Sequence, residues 1–150
     1  MPGFLFDSNL WVAVTFAAHP FHDSAGIQLK QSSPSRPLCR IRAIELSSLR
    51  LITTPAVHRA FGVPHFSNRE AIAYLTSLFH KTECLEIKEP ERTRELWLRL
   101  ADAESASPKV WMDAYLVAVA IRGGLDFITF DSDFQRFESH GLSLTLLKKE

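Results

Sequence analysis

The chain has 150 residues, 46% apolar and 23% charged, proportions that suit one domain with its own core and exclude intrinsic disorder, collagen-like repeats and coiled coil. Seventeen Lys and Arg balance seventeen Asp and Glu, so neither a uniformly basic nucleic-acid binder nor an acidic tail is expected. Cys39 and Cys84 are too few and too distant for a disulfide framework or a cysteine zinc site. No signal peptide or membrane-length apolar run is visible, so a soluble cytoplasmic protein with reduced thiols is expected.

Phe4-Leu5-Phe6 reads as a short buried strand that stops at Asp7-Ser8-Asn9, a polar turn able to cap a helix over Leu10 to Ala18. A second helix is expected from Phe21 to about Ser32. The loop Ser32-Ser33-Pro34-Ser35-Arg36-Pro37 follows, its prolines and serines supporting neither periodicity. Leu38 to Ile41 is a strand candidate, then a helix through Glu45, Leu46, Leu49 and Ile52 ends before Pro55, and Pro55 to Pro64 reads as a loop. Ser67-Asn68-Arg69-Glu70 has capping-box spacing ahead of Ala71, Ile72, Leu75, Leu78 and Phe79, so a helix starts there.

Glu83 to Ile87 alternates polar and apolar, as a strand with one wet face would. Leu96, Trp97 and Leu100 predict an amphipathic helix from Glu91 to about Ala103, closed by Ser105-Ala106-Ser107-Pro108. Val110 to Ile121 is apolar on almost every side, broken by Asp113, and ends at Arg122-Gly123-Gly124, where glycine supplies a left-handed cap. Asp126 to Phe130 is a strand running into Asp131-Ser132-Asp133. Asp133 caps Phe134 to Phe137, and Leu144 to Leu147 is a final strand. Strands separated by helices imply the α/β class, with a mostly parallel sheet covered on both faces.

In such a sheet the ligand site lies outside the carboxyl ends of the strands, and Asp7 and Asp131 both stand where an apolar strand stops. Each also suits an ordinary turn or N-cap. Asp113 carries more weight, because an ionised carboxylate in a helix apolar all round is costly unless a cation or hydrogen-bond donors meet it. An arginine partner is its plain alternative, and for Glu45, with Arg42 and Arg50 nearby, a surface ion pair is. Were the four acids to converge, their repulsion would call for a divalent cation. Carboxylates without histidine or cysteine suit magnesium, with manganese as a substitute. Such ions activate water and stabilise charge building on a phosphate, which describes a phosphodiesterase. The histidines pair at no metal-ligand spacing on a helix and read as solvated or capping groups. Neither a Gly-x-Ser-x-Gly elbow nor a Gly-rich phosphate loop is present.

Four blocks, Phe4 to Trp11, Glu45 to Pro55, Ser107 to Leu116 and Thr129 to Phe134, together resemble the PIN-domain ribonucleases, and more closely the VapC-type toxins of bacterial toxin-antitoxin systems. The resemblance runs from the first strand to about Phe137. It implies a single PIN domain over residues 1–150, a three-layer α/β/α sandwich, that cleaves RNA. It also implies that Asp7, Glu45, Asp113 and Asp131 form an acidic quartet holding Mg2+, chiefly through Asp7 and Asp113. Asp133 is implied as an auxiliary acid, with Asn9 and Thr129 positioning the first acid or a water. Close relatives often carry Gln where Glu45 falls. A small VapB-like antitoxin and a toxin homodimer are the implied partners, with no membrane.

Leu10 to Ala18 and Ala25 to Leu29 are where a partner helix could dock, unless those stripes simply face the core. Between Arg36 and Arg69 six arginines face the single acid Glu45, whereas Gly123 to Glu138 carries four acids and Arg136. Arg40 and Arg42 are therefore candidates for contacts with an RNA backbone beside an acidic pocket, a solvated face being the alternative. The competing function is a non-catalytic module of the same fold that binds RNA or protein, which would have no reason to bury Asp113. A haloacid-dehalogenase-like phosphatase would want Asp-x-Asp in place of Asp7-Ser8-Asn9, and a phosphoacceptor receiver a lysine at a later strand end.

Overall fold

In the computed structural model, which describes residues 3–148, strands β1 (Phe4–Phe6), β2 (Leu38–Arg40), β3 (Leu85–Glu86), β4 (Asp126–Thr129) and β5 (Leu144–Leu146) form one sheet. Their order is β3-β2-β1-β4-β5 and every pair is parallel. From β1 the chain builds outward to β2 and β3, then returns across the sheet to β4 and β5. Right-handed crossovers put the helices of the outward leg on one face and those of the return leg on the other. The first group is α1 (Ser8–Thr15), α2 (His22–Leu29), α3 (Arg42–Ile52), α4 (Pro55–Ala60) and α5 (Asn68–Lys81); the second is α6 (Thr93–Ala101) and α7 (Val110–Gly123). The α/β sandwich agrees with expectation, and β1 and β4, neighbours at the point where the order reverses, open the crevice that such sheets use for ligands.

Phe4, Leu5 and Phe6 are wholly buried between the layers, which is why this strand carries no alternation. Phe6, Trp11 and Phe79 meet in series, the first pair tilted and the second edge to face, with ring centroids 5.2 Å apart at both contacts, and tie β1 to α1 and α5. Gly3 is required by proximity: a Cβ there would stand 2.8 Å from the Pro37 carbonyl oxygen, which accepts the Phe4 N–H. The capping box of α5 forms as its spacing predicts, and Gly124 closes α7 in the left-handed conformation at φ 64°.

Several boundaries differ from the sequence reading. α1 starts at Ser8, because Asp7 already caps it, and ends at Thr15, where Phe16 turns extended. The stretch expected to be a loop after Pro55 holds α4, with Pro55 in the first turn, where a missing N–H is harmless. His58, expected to be solvated or capping, is buried; a ring nitrogen lies 2.7 Å from the Ile52 carbonyl oxygen, so it caps α3 from within. β3 is two exposed residues at the sheet edge. Ser132–His140 forms a 3-10 helix capped by Asp131 rather than Asp133, since the Asp131 carboxylate accepts the Asp133 N–H at 2.9 Å. Of the stretches considered for partner docking, Leu10 to Ala13 and Ala25 are buried in the core, whereas Ala17, Ala18 and Ile27 are exposed.

Candidate active site

The chain leaves β1 at Asp7 and β4 at Phe130, and because these strands are paired in parallel their ends deliver Asp7 and Thr129 side by side. The Asp7 side chain divides its two oxygens: Oδ1 accepts the Ser8 N–H at 2.7 Å and Oδ2 accepts the Thr129 hydroxyl at 2.8 Å. Thr129, wholly buried, also accepts the Asn9 amide and the Asp131 N–H, both at 3.0 Å. One hydroxyl thus ties together the turns that follow β1 and β4. Asn9 Oδ1 is buried with no hydrogen-bond partner among the described residues.

Asp113 enters from α7. Its helix is buried from Ala114 to Ala120 on most sides, but the first turn projects from the core, with Trp111 and Met112 exposed and Asp113 half-buried. Asp113, Asp131 and Asp133 line a pocket of about 470 Å³ together with Lys109 and Arg136. The arginine expected as a partner for Asp113 is Arg136, at 3.9 Å, a loose pair open to water. Burial raises the Asp113 carboxyl above its ordinary range, Asp131 raises it further, and Arg136 pulls it down. Burial pushes Asp7 up to about 6, against the lowering effect of the Thr129 and Ser8 hydrogen bonds, with Asp113 and Asp131 adding repulsion. Asp7 and Asp113 therefore each resist ionising, and the charge of Asp131 adds to the repulsion on both.

Glu45 is placed differently. It pairs with Arg42, which also pairs with Glu86, and it lines a groove with Arg40, Phe79 and Cys84. The α3 side chain that reaches the Asp7 turn is Ser47, whose hydroxyl donates to the Ser8 hydroxyl at 3.2 Å. The Arg40 guanidinium lies 4.2 Å from the Phe79 ring centroid and donates to the Cys84 carbonyl oxygen, and Arg36 pairs with Asp126 at 3.1 Å. Two arginines of the basic stretch thus hold the fold together, while Arg42 stays largely exposed. Lys109 and Arg136 are the cations that border the acidic pocket. Arg136, the one base amid the acids of residues 123–138, was the available signal for this.

The PIN domain family matches residues 4–139. Ribonuclease VapC41, from two strains of Mycobacterium tuberculosis, is 36% identical over 146 residues, covering 97% of this chain and 99% of the relative. This chain is a PIN-domain protein of the VapC family. The PIN fold is also that of a chain in the crystal structure of VapBC2 from Rickettsia felis bound to a DNA fragment from their promoter. There the TM-score is 0.61 at 9% identity, with 97% of this chain and 98% of that chain covered. In this PIN domain Asp7 follows β1 at the switch point of the sheet, close enough to Asp113 and Asp131 to feel their charge; those two line the acidic pocket with Asp133, whereas Asp7 does not line it, and Glu45 lies on α3 paired with Arg42.

The donor set fits a small hard cation. The charged side chains that act most on Asp7, those of Asp113 and Asp131, are carboxylates, and the Asn9 oxygen is buried without a hydrogen-bond partner among the described residues. No three His, Cys, Asp or Glu side chains among the described residues stand close enough to form a ligand cage unaided. Repulsion spreads carboxylates that lack a counter-ion, and magnesium is typically held by one or two carboxylates while keeping waters and substrate oxygens.

Proposed function

We infer that this chain is a magnesium-dependent endoribonuclease, the toxic component of a type II toxin-antitoxin system, cutting RNA phosphodiester bonds at the acidic pocket between the start of α7 and the segment that follows β4, beside Asp7. The observation that carries this reading is the burial of Asp7 among Asp113 and Asp131, a charge arrangement that opposes folding unless a cation is bound there. Asp7 and Asp113 would hold magnesium, with manganese as a substitute, and Asp131 would complete the acidic wall. Bound there, the ion would supply an activated water and stabilise the charge developing on the phosphate.

The chain's own groups do the rest. Thr129 fixes the Asp7 carboxylate through its hydroxyl and holds Asp131 through the backbone, so two acids keep one orientation. Asn9 props Thr129 through its amide N–H, and its buried oxygen has no hydrogen-bond partner among the described residues. Lys109 and Arg136 face incoming phosphate across the pocket, and Asp133 can hold a water or polar substrate atom at the rim. Glu45 is the fourth acid of the proposal, reaching the site only if Arg42 releases it. Arg42, exposed and bound to two carboxylates, can exchange one of them for an RNA phosphate. A VapB-like antitoxin, a toxin homodimer and a cytoplasmic location belong to the same proposal. The Rickettsia felis neighbour is a VapBC structure, and among the described residues no helix is long and apolar enough to cross a membrane.

Purified protein incubated with total RNA is expected to cut it in magnesium and to stop in chelator, with Asp113→Ala folded and inactive. Expression alone should halt growth, and co-expression of the small adjacent gene should restore it. RNA bound tightly but cut with no divalent ion would establish the non-catalytic module instead.

A further inference from the structure

Ser47 stands in the middle of α3, where a serine or threonine hydroxyl ordinarily bonds to a carbonyl one turn back on its own helix. Thr15, Thr53 and Thr82, at the ends of α1, α3 and α5, do this, donating to the carbonyl oxygens of Trp11, Leu49 and Leu78 at 2.7, 2.7 and 2.8 Å. Ser47 does not. Its hydroxyl crosses to the first residue of α1 and donates to the Ser8 hydroxyl at 3.2 Å, joining positions 39 residues apart. The adjacent Ser48 is buried, and its hydroxyl has no hydrogen-bond partner among the described residues. Of the two neighbouring serines, Ser47 is the one that reaches α1.

The bond has a direction with a consequence for Asp7. Because the Ser8 oxygen receives the Ser47 proton, the Ser8 proton is left to point elsewhere, and its acceptor is Asp7 Oδ1, 3.5 Å away. The Ser8 N–H donates to the same oxygen at 2.7 Å. Asp7 is therefore held from two sides: Oδ2 by Thr129, which is tied to Asn9, and Oδ1 by Ser8, which is tied to α3 through Ser47. Successive hydrogen bonds polarise one another, so loss of the outermost donor is felt at the carboxylate. Glu45 lies two residues before Ser47, on another face of the helix, paired with Arg42. What α3 brings to Asp7 is a hydroxyl rather than a carboxylate.

We propose that Ser47 is a positioning residue for the metal site: acting through Ser8, it fixes the orientation in which the Asp7 carboxylate receives the cation. The proposal rests on the reading of Asp7 as a metal ligand and adds the contribution of α3 to it. A donor aimed at Oδ1 restrains the carboxylate in rotation, so its oxygens need not reorganise when the ion arrives. Partners that orient metal ligands in this way change affinity by about tenfold or more when removed.

The test is manganese titration of the full chain without RNA, followed by electron paramagnetic resonance. Ser47→Ala should weaken manganese binding about tenfold, and Ser47→Thr, which keeps a hydroxyl, should retain most of the affinity. Ser8→Ala should weaken binding to a similar extent, and Ser47→Ala added to Ser8→Ala should weaken it no further, because the two act in series. Ser48→Ala removes an unpartnered hydroxyl from the same helix and should leave affinity unchanged, which controls for disturbance of α3. Equal thermal midpoints in chelator establish that the variants fold. If wild type binds manganese and Ser47→Ala binds it equally well, the relay is overturned and the acidic site stands. Effects of Ser8→Ala and Ser47→Ala that multiply would overturn it too, since Ser47 would then act independently of Ser8. So would a loss that Ser48→Ala reproduces, which belongs to helix packing. A wild-type protein that binds no manganese overturns both the relay and the reading it rests on.

Discussion

Replacing Asp7 by asparagine separates the electrostatic part of its role from the hydrogen bonding. Burial, with help from Asp113 and Asp131, lifts the carboxyl from 3.8 to about 6. That gap corresponds to about 3 kcal/mol of penalty on the ionised folded state. The folded protein holds this proton more tightly than the unfolded chain, so the penalty is absent below about pH 4, grows as pH rises, and is complete above about pH 6. Asparagine keeps an oxygen for the Ser8 N–H but turns its NH2 toward the Thr129 hydroxyl, which already accepts two donors, so one hydrogen bond worth about 1 kcal/mol is lost. In chelator at about pH 7.5, Asp7→Asn should therefore be more stable than wild type by about 2 kcal/mol, and slightly less stable near pH 4. Urea unfolding at the two pH values measures this. Magnesium at ten times its dissociation constant should then stabilise wild type by about 1.4 kcal/mol and the variant by much less. An asparagine variant that is less stable than wild type at both pH values without metal would refute the claim that the acids repel one another at this site.

Thr129→Val removes three hydrogen bonds from a wholly buried position and should lower stability by about 2 to 3 kcal/mol in urea unfolding, with cleavage falling as Asp7 loses its orientation. Gly3→Ala forces a Cβ against the Pro37 carbonyl oxygen and should cost about 1 to 3 kcal/mol by disturbing the β1–β2 pairing, read as a lower thermal midpoint. Glu45→Gln should reduce cleavage by about tenfold at most, the low end of what residues around a metal site contribute, because its carboxylate is held by Arg42, and an effect equal to that of Asp113→Asn would place Glu45 at the metal.

The sheet and its helices were legible because their signals are local: apolar runs that end at polar turns, a capping box at Ser67, a glycine cap at Gly124. The convergence of Asp7 with Asp131 was half legible. Strand ends in an α/β sheet point to one edge, but which strands become neighbours is a property of topology, and the reversal at β1 is what pairs it with β4. The Asp113 signal, a charge in an apolar helix, singled out a residue that lines the acidic pocket, but the turn that carries it stands clear of the core. α4 escaped notice because Pro55 reads as a breaker even where it begins a helix. The fates of Arg40 and Arg42 were not legible at all: charge counts along a chain do not tell a guanidinium packed over Phe79 from one open to a ligand.

The most direct test of the acidic site is stoichiometric manganese binding, followed by electron paramagnetic resonance on the wild-type protein and on Asp7→Asn/Asp113→Asn. Wild type should bind the ion in the absence of RNA, and the double variant, folded to the same extent, should lose it. Equal binding by both proteins would place any metal elsewhere and contradict the account.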